Sequence, residues 1–369
     1  MKITHIIGAR PQFIKASIVT RAIKEHRLVS NKSINEIVVH TGQHYDQMMS
    51  GIFLDDFNIH VDINLEIKEY LQGKMTARML TGIEKVLLDK KPDIVIVYGD
   101  TNSTLAGALS SAKLQIPIAH VEAGLRSYNM KMPEEINRIV TDRLSTWLLC
   151  PTQSAVNNLE KEGMVNSKKG VNQHVVHVRD VMFDAFLLFK ELSMPQKQTI
   201  EIIDSFNGNY YLTTVHRGEN TDVPENLFSI ISALDEIACE TPIIWPIHPR
   251  TLKQIDKFNI PIHHIKLIPP VGYFDMLALL KGCKAVFTDS GGLQKESFFM
   301  KKKCIVLREE TEWIELIEEG YNFLAGADKQ KILSFQSNID SSNKNWNRSF
   351  FGDGHAGKKI IYSIMTQTT

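Results

Sequence analysis

The stretch Asp289-Ser290-Gly291-Gly292 lies between two segments of opposite character. The apolar run from Lys284 to Thr288 reads as a buried parallel strand, and Leu293 to Met300 reads as a helix that starts at once. A strand that breaks into small residues and restarts as a helix leaves free backbone N–H groups at the positive end of the helix dipole, where an anion is favoured. Ser290 adds a hydroxyl donor. Glu296 falls about one turn into the helix, where a carboxylate could accept hydrogen bonds from a ribose diol while the helix start holds phosphates. Ser290, Gly291, Gly292 and Glu296 together describe a nucleoside-diphosphate site, although a lone Ser-Gly-Gly is more often a plain strand-to-helix turn.

A second set of residues carries acids. Asp100 follows the strand Asp93 to Tyr98, Glu122 ends the strand beginning at Ile118, and Glu134 and Glu135 open a helix behind Pro133. Helix capping accounts for Asp100 by itself, and dipole matching accounts for an acid in a first helical turn. Neither accounts for three acidic strand or helix ends between residues 100 and 134. His216 follows the strand Tyr210 to Val215 with Arg217 and Glu219 as neighbours. An imidazole beside a diphosphate can donate to it and, when protonated, assist a departing phosphate. His248 and Arg250 could do similar work but rank second, because Pro249 between them also fits a rigid turn. Arg10 and Lys15 flank the first turn of the helix behind the strand Lys2 to Ile7, which can aim both over the carboxyl edge of a sheet.

All these residues sit where a strand runs into a helix, so the elements that must position them are βαβ units. The alternation runs through the strands Lys2 to Ile7, Glu36 to His40, Asp93 to Tyr98, Ile118 to Glu122 and His174 to Val178. It resumes with Tyr210 to Val215, Ile243 to Ile247, His264 to Ile268, Lys284 to Thr288 and Cys304 to Leu307. A chain of 369 residues exceeds one ordinary core, so two doubly wound α/β domains are expected, with a cleft between the carboxyl ends of their sheets. The hinge is expected between the polar stretches 166–173 and 193–199. The domains are set at residues 1–178 and 179–352, with 353–369 as a final helix. Lys and Arg total 42, as do Asp and Glu, so no net field draws the chain to nucleic acid or an anionic membrane. Cys150, Cys239, Cys283 and Cys304 are far apart in or beside apolar segments and read as reduced core residues, not as disulfides or a metal site. No signal-peptide core or membrane-length apolar run is visible, which points to the cytoplasm.

The chain resembles the non-hydrolysing UDP-N-acetylglucosamine 2-epimerases over essentially its full length. The resemblance rests on an ordered set of motifs: Gly8 to Pro11, Thr41 to His44, Gly99 to Asn102, His120 to Arg126, Pro133 to Arg138, His216 to Asn220, Thr288 to Glu296 and Phe351 to Gly354. It implies a glycosyltransferase-B-like pair of Rossmann-like domains, a last helix crossing back to the first domain, and a homodimer. The implied reaction inverts C2 of a UDP-linked N-acetylhexosamine, converting UDP-GlcNAc to UDP-ManNAc for cell-surface polysaccharide precursors. The C2 proton is not adjacent to a carbonyl, so the family eliminates UDP across C1–C2 to a 2-acetamidoglucal and adds it back. Carried over by motif, Asp100, Glu122, Glu134 and His216 form the catalytic set. Arg10, Ser290, Gly291 and Gly292 match diphosphate contacts, Glu296 the ribose contact and Lys15 an electrostatic partner. No cofactor and no metal are implied, and the only ligand is a UDP-sugar.

Some positions depart from the common pattern. Thr311-Glu312-Trp313-Ile314-Glu315 stands where many members have Thr-Glu-Arg-Pro-Glu, and this version is similar to the branch acting on UDP-2,3-diacetamido-2,3-dideoxy-glucuronate. That branch is the alternative substrate reading. A hydrolysing epimerase or a glycosyltransferase of the same architecture is the alternative in reaction class. Tyr45, Asp46 and the region Lys68 to Gln72 match poorly with the second, activating UDP-GlcNAc site of bacterial members. Arg179 stands where many members have glycine.

Overall fold

The computed structural model describes residues 1–30, 33–43, 59–164, 173–192, 195–339 and 344–367. His44, Tyr45 and Asp46 lie outside these residues, as do most of the polar stretch 166–173 and the start of 193–199. The chain divides into two compact units, Met1–Leu187 with Ser349–Thr369, and Leu188–Arg348.

The first unit runs β1 (Lys2–Ile7), α1 (Arg10–Val29), β2 (Asn35–His40), β3 (Ile63–Asn64), α2 (Gln72–Lys90), β4 (Ile94–Tyr98), α3 (Asn102–Lys113), β5 (Ile118–Val121), α4 (Pro133–Leu144), β6 (Trp147–Cys150), α5 (Gln153–Lys161) and β7 (His174–His177). Its sheet is parallel throughout, in the order β3-β2-β1-β4-β5-β6-β7. Strands buried on both faces read as continuous apolar runs, as in Ile94 to Tyr98, because helices cover both sides. The strand order reverses between β1 and β4, and in open α/β sheets the crevice at that reversal receives ligands.

The helix α6 (Val181–Leu192) passes the division between the units. The second unit continues with α7 (Lys197–Phe206), β8 (Tyr211–Thr214), α8 (Gly218–Thr221), α9 (Pro224–Ala238), β9 (Ile243–Pro246), α10 (Pro249–Phe258), β10 (Lys266–Ile268), α11 (Tyr273–Gly282), β11 (Ala285–Thr288), α12 (Gly291–Phe299), β12 (Lys303–Val306), α13 (Ile314–Glu318), β13 (Asn322–Leu324) and α14 (Lys329–Ser337). Its parallel sheet has the order β10-β9-β8-β11-β12-β13, so the reversal falls between β8 and β11. The period-two alternation of the strands divides the core. Tyr211, Trp245 and Phe287 pack with α9 and α14 on one face, and Leu212, Ile244 and Val286 with α11 on the other.

The last helix, α15 (Ala356–Gln367), belongs to the first unit. The division falls after Leu187 and before Ser349, which differs from the expected 178 and 352. The reason is local: Asp180 N donates to Phe351 O at 3.0 Å, and Asp184 Oδ2 accepts from Gly357 N at 2.9 Å, so the first turns of α6 and α15 are fastened together. Arg179 has φ +78°, and its side chain covers Gly352 so closely that a Cβ there would stand 2.6 Å from Arg179 Cβ. Cys150, Cys283 and Cys304 are buried free thiols, but Cys239 is exposed where α9 ends, which corrects the expectation that all four are core residues. No helix among the described residues is long and apolar enough to cross a membrane.

Candidate active site

In the first unit the motif loops weld the strand ends together before any acid is placed. Gln12 Oε1 accepts from Gly8 N and Ala9 N, while its amide donates to Tyr98 O at 2.8 Å and Thr104 Oγ1 at 2.9 Å. The start of α1 is thereby locked to the end of β4. A side chain at Gly8 would collide with the hydroxyls of Thr41 and Ser103, which hydrogen bond each other at 2.8 Å.

On this platform Glu122 follows β5 with φ +74°, a left-handed conformation that a non-glycine residue adopts only when its surroundings impose it. Lys15 Nζ donates to Glu122 Oε2, and the two side chains are only 7% and 11% exposed. Gly99, also left-handed at φ +62°, makes room for this pair: a Cβ there would lie 3.1 Å from Glu122 Oε2 and 3.2 Å from Lys15 Nζ. Asp100 does not cap α3. That role belongs to Thr101, whose side chain accepts from Thr104 N, and Asp100 instead pairs with Arg138 at 2.6 Å. The loop is held from beneath by His120, fully buried, whose Nε2 donates to Gly99 O at 2.7 Å and whose Nδ1 meets Asp142 at 2.7 Å. Burial pushes the Asp142 carboxyl up, but His120 and Arg126 outweigh it and hold it below the ordinary carboxylate range.

The two acids of the Pro133-Glu134-Glu135 turn separate in kind. Glu135 is fully buried and accepts from Ser127 N, Ser127 Oγ, Tyr128 N and Arg138 Nη1. Glu134 is half-buried in the first turn of α4. Arg138 joins Glu135 to Asp100, so the structural acid and the candidate catalytic acid share one cation.

In the second unit Ser290 is the N-cap of α12, its Oγ accepting from Leu293 N. The hydroxyl hydrogen remains available to a ligand. Ser290 and Gly291 are half-buried and Gly292 is exposed, whereas every residue from Leu293 to Phe299 is buried. The helix is thus fixed in the core with only its N-terminus open, the arrangement an anion site needs. Glu296 is buried within the same helix.

His216 follows β8, directly across the reversal in strand order. Its Nδ1 lies 3.2 Å from Asp289 Oδ1, and Asp289 also accepts from the backbone N–H groups of His216 and Arg217 and from Asn220 Nδ2. Burial pushes the fully enclosed Asp289 carboxyl up, yet the neighbouring His216 and the donated hydrogen bonds leave it below its ordinary value. An ionised carboxylate only accepts, so Nδ1 carries the proton toward Asp289 and Nε2 faces outward from a 41% exposed side chain.

The sequence profile of the UDP-N-acetylglucosamine 2-epimerase family matches residues 26–365. The chain belongs to this family. A Methanococcus maripaludis UDP-N-acetylglucosamine 2-epimerase homolog is 45% identical over 370 residues, spanning 98% of each chain. The Pseudomonas aeruginosa UDP-2,3-diacetamido-2,3-dideoxy-D-glucuronate 2-epimerase is 46% identical over 362 residues, again 98% of each. Among solved structures, Methanocaldococcus jannaschii UDP-GlcNAc 2-epimerase in complex with UDP-GlcNAc and UDP matches with a TM-score of 0.90 and 39% identity, covering 99% of this chain and 100% of that one. The fold is accordingly glycosyltransferase-B-like, with two doubly wound parallel units.

Within this family member, Lys15, Asp100, Glu122 and Glu134 gather in the first unit, and His216, Ser290, Gly291, Gly292 and Glu296 in the second. Arg10 is the first residue of α1, and its side chain lies outside the description. The second-ranked pair is otherwise engaged. His248 caps α10 by accepting from Arg250 N, its pKa pushed down by burial and by the nearby charges of His216 and Arg250, while Arg250 pairs with Asp222 at 2.6 Å on an exposed surface. Residues that sequence reasoning did not single out hold the candidate residues of each unit in place: Gln12 and Arg138 in the first, Asp289 in the second. Arg138 and Asp289 lie inside motifs and Gln12 directly follows one, but the partner of each is remote in the chain. Among the described residues no group of three or more His, Cys, Asp or Glu side chains is arranged to hold a metal ion.

Proposed function

We propose that the protein is a non-hydrolysing 2-epimerase of UDP-N-acetylglucosamine, interconverting it with UDP-N-acetylmannosamine. A carboxylate of the group Asp100, Glu122 and Glu134 takes the C2 proton as the C1–O bond to UDP breaks, leaving 2-acetamidoglucal and UDP. Re-addition of UDP at C1, with a proton delivered to the opposite face of C2, gives the epimer. The start of α12 and Ser290 receive the diphosphate, Glu296 the ribose, and Arg10 and Lys15 add positive charge. His216, oriented by Asp289, donates from Nε2 to the departing phosphate as the imidazolium, with a proton on each ring nitrogen.

The observation that carries this reading is the strained Glu122, held left-handed and nearly buried against Lys15. A binding-only module gains nothing from an acid held in a strained, nearly buried place. Pathway and assembly follow the family: a homodimer in the cytoplasm supplying cell-surface polysaccharide precursors. The test is proton NMR of the purified protein with UDP-GlcNAc in D2O. UDP-ManNAc carrying deuterium at C2 is expected, whereas free ManNAc would place the protein among hydrolysing epimerases.

A second reading has its own support. Trp313 stands in place of the common arginine, and the 46% identical Pseudomonas aeruginosa relative bears the name of the diacetamido-glucuronate enzyme. If UDP binds but UDP-GlcNAc is left unchanged, UDP-2,3-diacetamido-2,3-dideoxy-glucuronate is the substrate to test.

A further inference from the structure

The central strands of the second unit are closed off from solvent except at one position. β9, β11 and β12 are buried along their whole length, and β8 is buried up to its last residue, Thr214, which is half-buried. Thr214 ends its strand at the reversal in strand order, the place where an open α/β sheet receives its ligand. His216 lies two residues further on, and in the parallel register Thr214 stands beside Thr288, two residues before Ser290.

Hydrogen counting fixes what Thr214 offers. Thr288 is fully enclosed, and its Oγ1 accepts from Ser290 N at 2.9 Å and lies 2.6 Å from Thr214 Oγ1. A hydroxyl has one hydrogen, and a buried one needs an acceptor. Among the described residues Thr214 Oγ1 is the acceptor within reach of that hydrogen, so Thr288 donates and Thr214 accepts. In the reverse direction the Thr288 hydrogen would be left without an acceptor in an enclosed place. The hydrogen on Thr214 is therefore uncommitted among the described residues, and accepting from one hydroxyl polarises the next O–H into a better donor. The groups around it share this character. Ser290 accepts from Leu293 N and keeps its own hydrogen, the first N–H groups of α12 are open, and His216 turns Nε2 outward. A floor built of donors suits a ligand group that only accepts, which is true of a phosphate oxygen and not of a sugar hydroxyl.

We infer that Thr214 is a further binding residue for the diphosphate, donating its hydroxyl hydrogen to a phosphate oxygen at the strand-order reversal of the second unit. The inference rests on the reading of Ser290, Gly291 and Gly292 as the diphosphate site. Thr288 supports it without touching the ligand: its hydroxyl occupies a lone pair of Thr214, which turns the Thr214 hydrogen away from the sheet, and it holds Ser290 N.

The experiment is isothermal titration calorimetry of the full chain with UDP. Thr214→Val keeps the shape and removes the hydroxyl, Thr214→Ala removes it and leaves Thr288 room to reach water, and Thr214→Ser keeps it. UDP is expected to bind about tenfold to a hundredfold more weakly to Thr214→Val and Thr214→Ala, in line with one lost hydrogen bond to a charged group. Thr214→Ser should stay within about threefold of wild type. Should Thr214→Val not fold, Thr214→Ala carries the same comparison. The loss should persist in a Ser290→Ala background, because each hydroxyl meets the ligand by itself. Wild-type affinity in Thr214→Ala would overturn the inference. So would an equal loss in Thr214→Ser, which would trace the effect to the methyl group, or a loss that disappears in the Ser290→Ala background, which would mean that Thr214 acts only through the Ser290 turn. If the wild-type protein binds uridine, which lacks phosphates, as tightly as UDP, the diphosphate reading of α12 itself fails, and that result is distinct from the others.

Discussion

Removing one partner of the Lys15–Glu122 pair should unfold the first unit more readily than removing both. At 7% and 11% exposure these side chains are close to fully enclosed. Two unit charges about 4 Å apart at an effective dielectric near 20 attract by about 4 kcal/mol. Deleting one breaks a buried ion pair, which typically costs about 3–5 kcal/mol. Lys15→Met strands the Glu122 carboxylate in a left-handed residue that cannot turn away without moving the end of β5. For a unit of this size 1 kcal/mol lowers Tm by roughly 2–4 °C, so Lys15→Met should melt on the order of 6–20 °C below wild type. Lys15→Met combined with Glu122→Gln replaces two charges with neutral groups of similar size and should recover at least half of that loss. The assay is a double-mutant cycle by circular-dichroism melting with the transition of the first unit followed separately, because two units need not unfold as one. A Lys15→Met variant melting within about 2 °C of wild type, or strictly additive substitutions, would refute the claim that the pair is coupled and buried.

Glu134→Gln and Glu135→Gln should part company: the first is expected to melt as wild type and lose turnover by at least about 10²-fold, the second to lose stability through its four donors, and a reversed pattern in melting and NMR turnover assays would exchange their roles. Glu122→Gln should retain UDP binding within about threefold by calorimetry, since it leaves Ser290 and the start of α12 untouched, while deuterium incorporation at C2 falls by at least about 10²-fold; near-normal incorporation would remove it from the catalytic set. Asp289, depressed by His216 and the backbone donors around it, contributes stability that is present above its unfolded pKa near 4 and is lost as pH falls through the lower folded value. Asp289→Asn should therefore flatten the acid limb of the second unit's melting curve below about pH 4 and lower kcat more than UDP affinity. Asp184 runs the opposite way, pushed up to about 6 by burial, so its contribution is fully present below about pH 4 and lost as pH rises through about 6. Asp184→Asn, which can still accept from Gly357 N, should raise first-unit stability at pH 8 by up to about 3 kcal/mol and leave it nearly unchanged at pH 4, measured by urea denaturation at the two pH values.

What the sequence revealed and what it concealed follow from the range of the forces involved. The βαβ alternation, the open start of α12 and the strand-end positions of Asp100, Glu122 and His216 are local properties, written in apolar runs and small residues. The strands β3 and β13 escaped notice because Ile63–Asn64 and Asn322–Leu324 are too short to show a period, and their pairing is decided by the neighbouring strand. Asp100 and Thr101 are equally good caps by composition; Arg138, 38 positions away along the chain, draws Asp100 out and leaves the cap to Thr101. Glu134 and Glu135 look alike in sequence, and only the donors at Ser127 and Tyr128 assign the second to structure. Asp289 reads as the first residue of the turn behind a strand, and its role emerges when the turn behind β8 folds its N–H groups over it. In each case the missing information is a partner distant in sequence whose approach is fixed by the sheet order.

The charge arrangement also bears on how one protein can hold UDP and still carry a group of acids. In the first unit Glu122 is matched by Lys15 and Asp100 by Arg138, so neither presents a bare negative charge. Such pairing suits proton acceptance from a weakly acidic C–H only if the cation gives way or the ligand supplies a counterweight. A diphosphate brought near would compete for Lys15, weaken its hold on Glu122 and raise the basicity of that carboxylate when the substrate is bound. Binding and proton abstraction would then be coupled through one lysine. On this argument Lys15→Arg, which keeps the charge but not the compact ammonium geometry, should retain UDP affinity within about threefold and lose at least about tenfold in deuterium incorporation at C2. Equal losses in both measurements would mean that Lys15 serves only to bind the diphosphate.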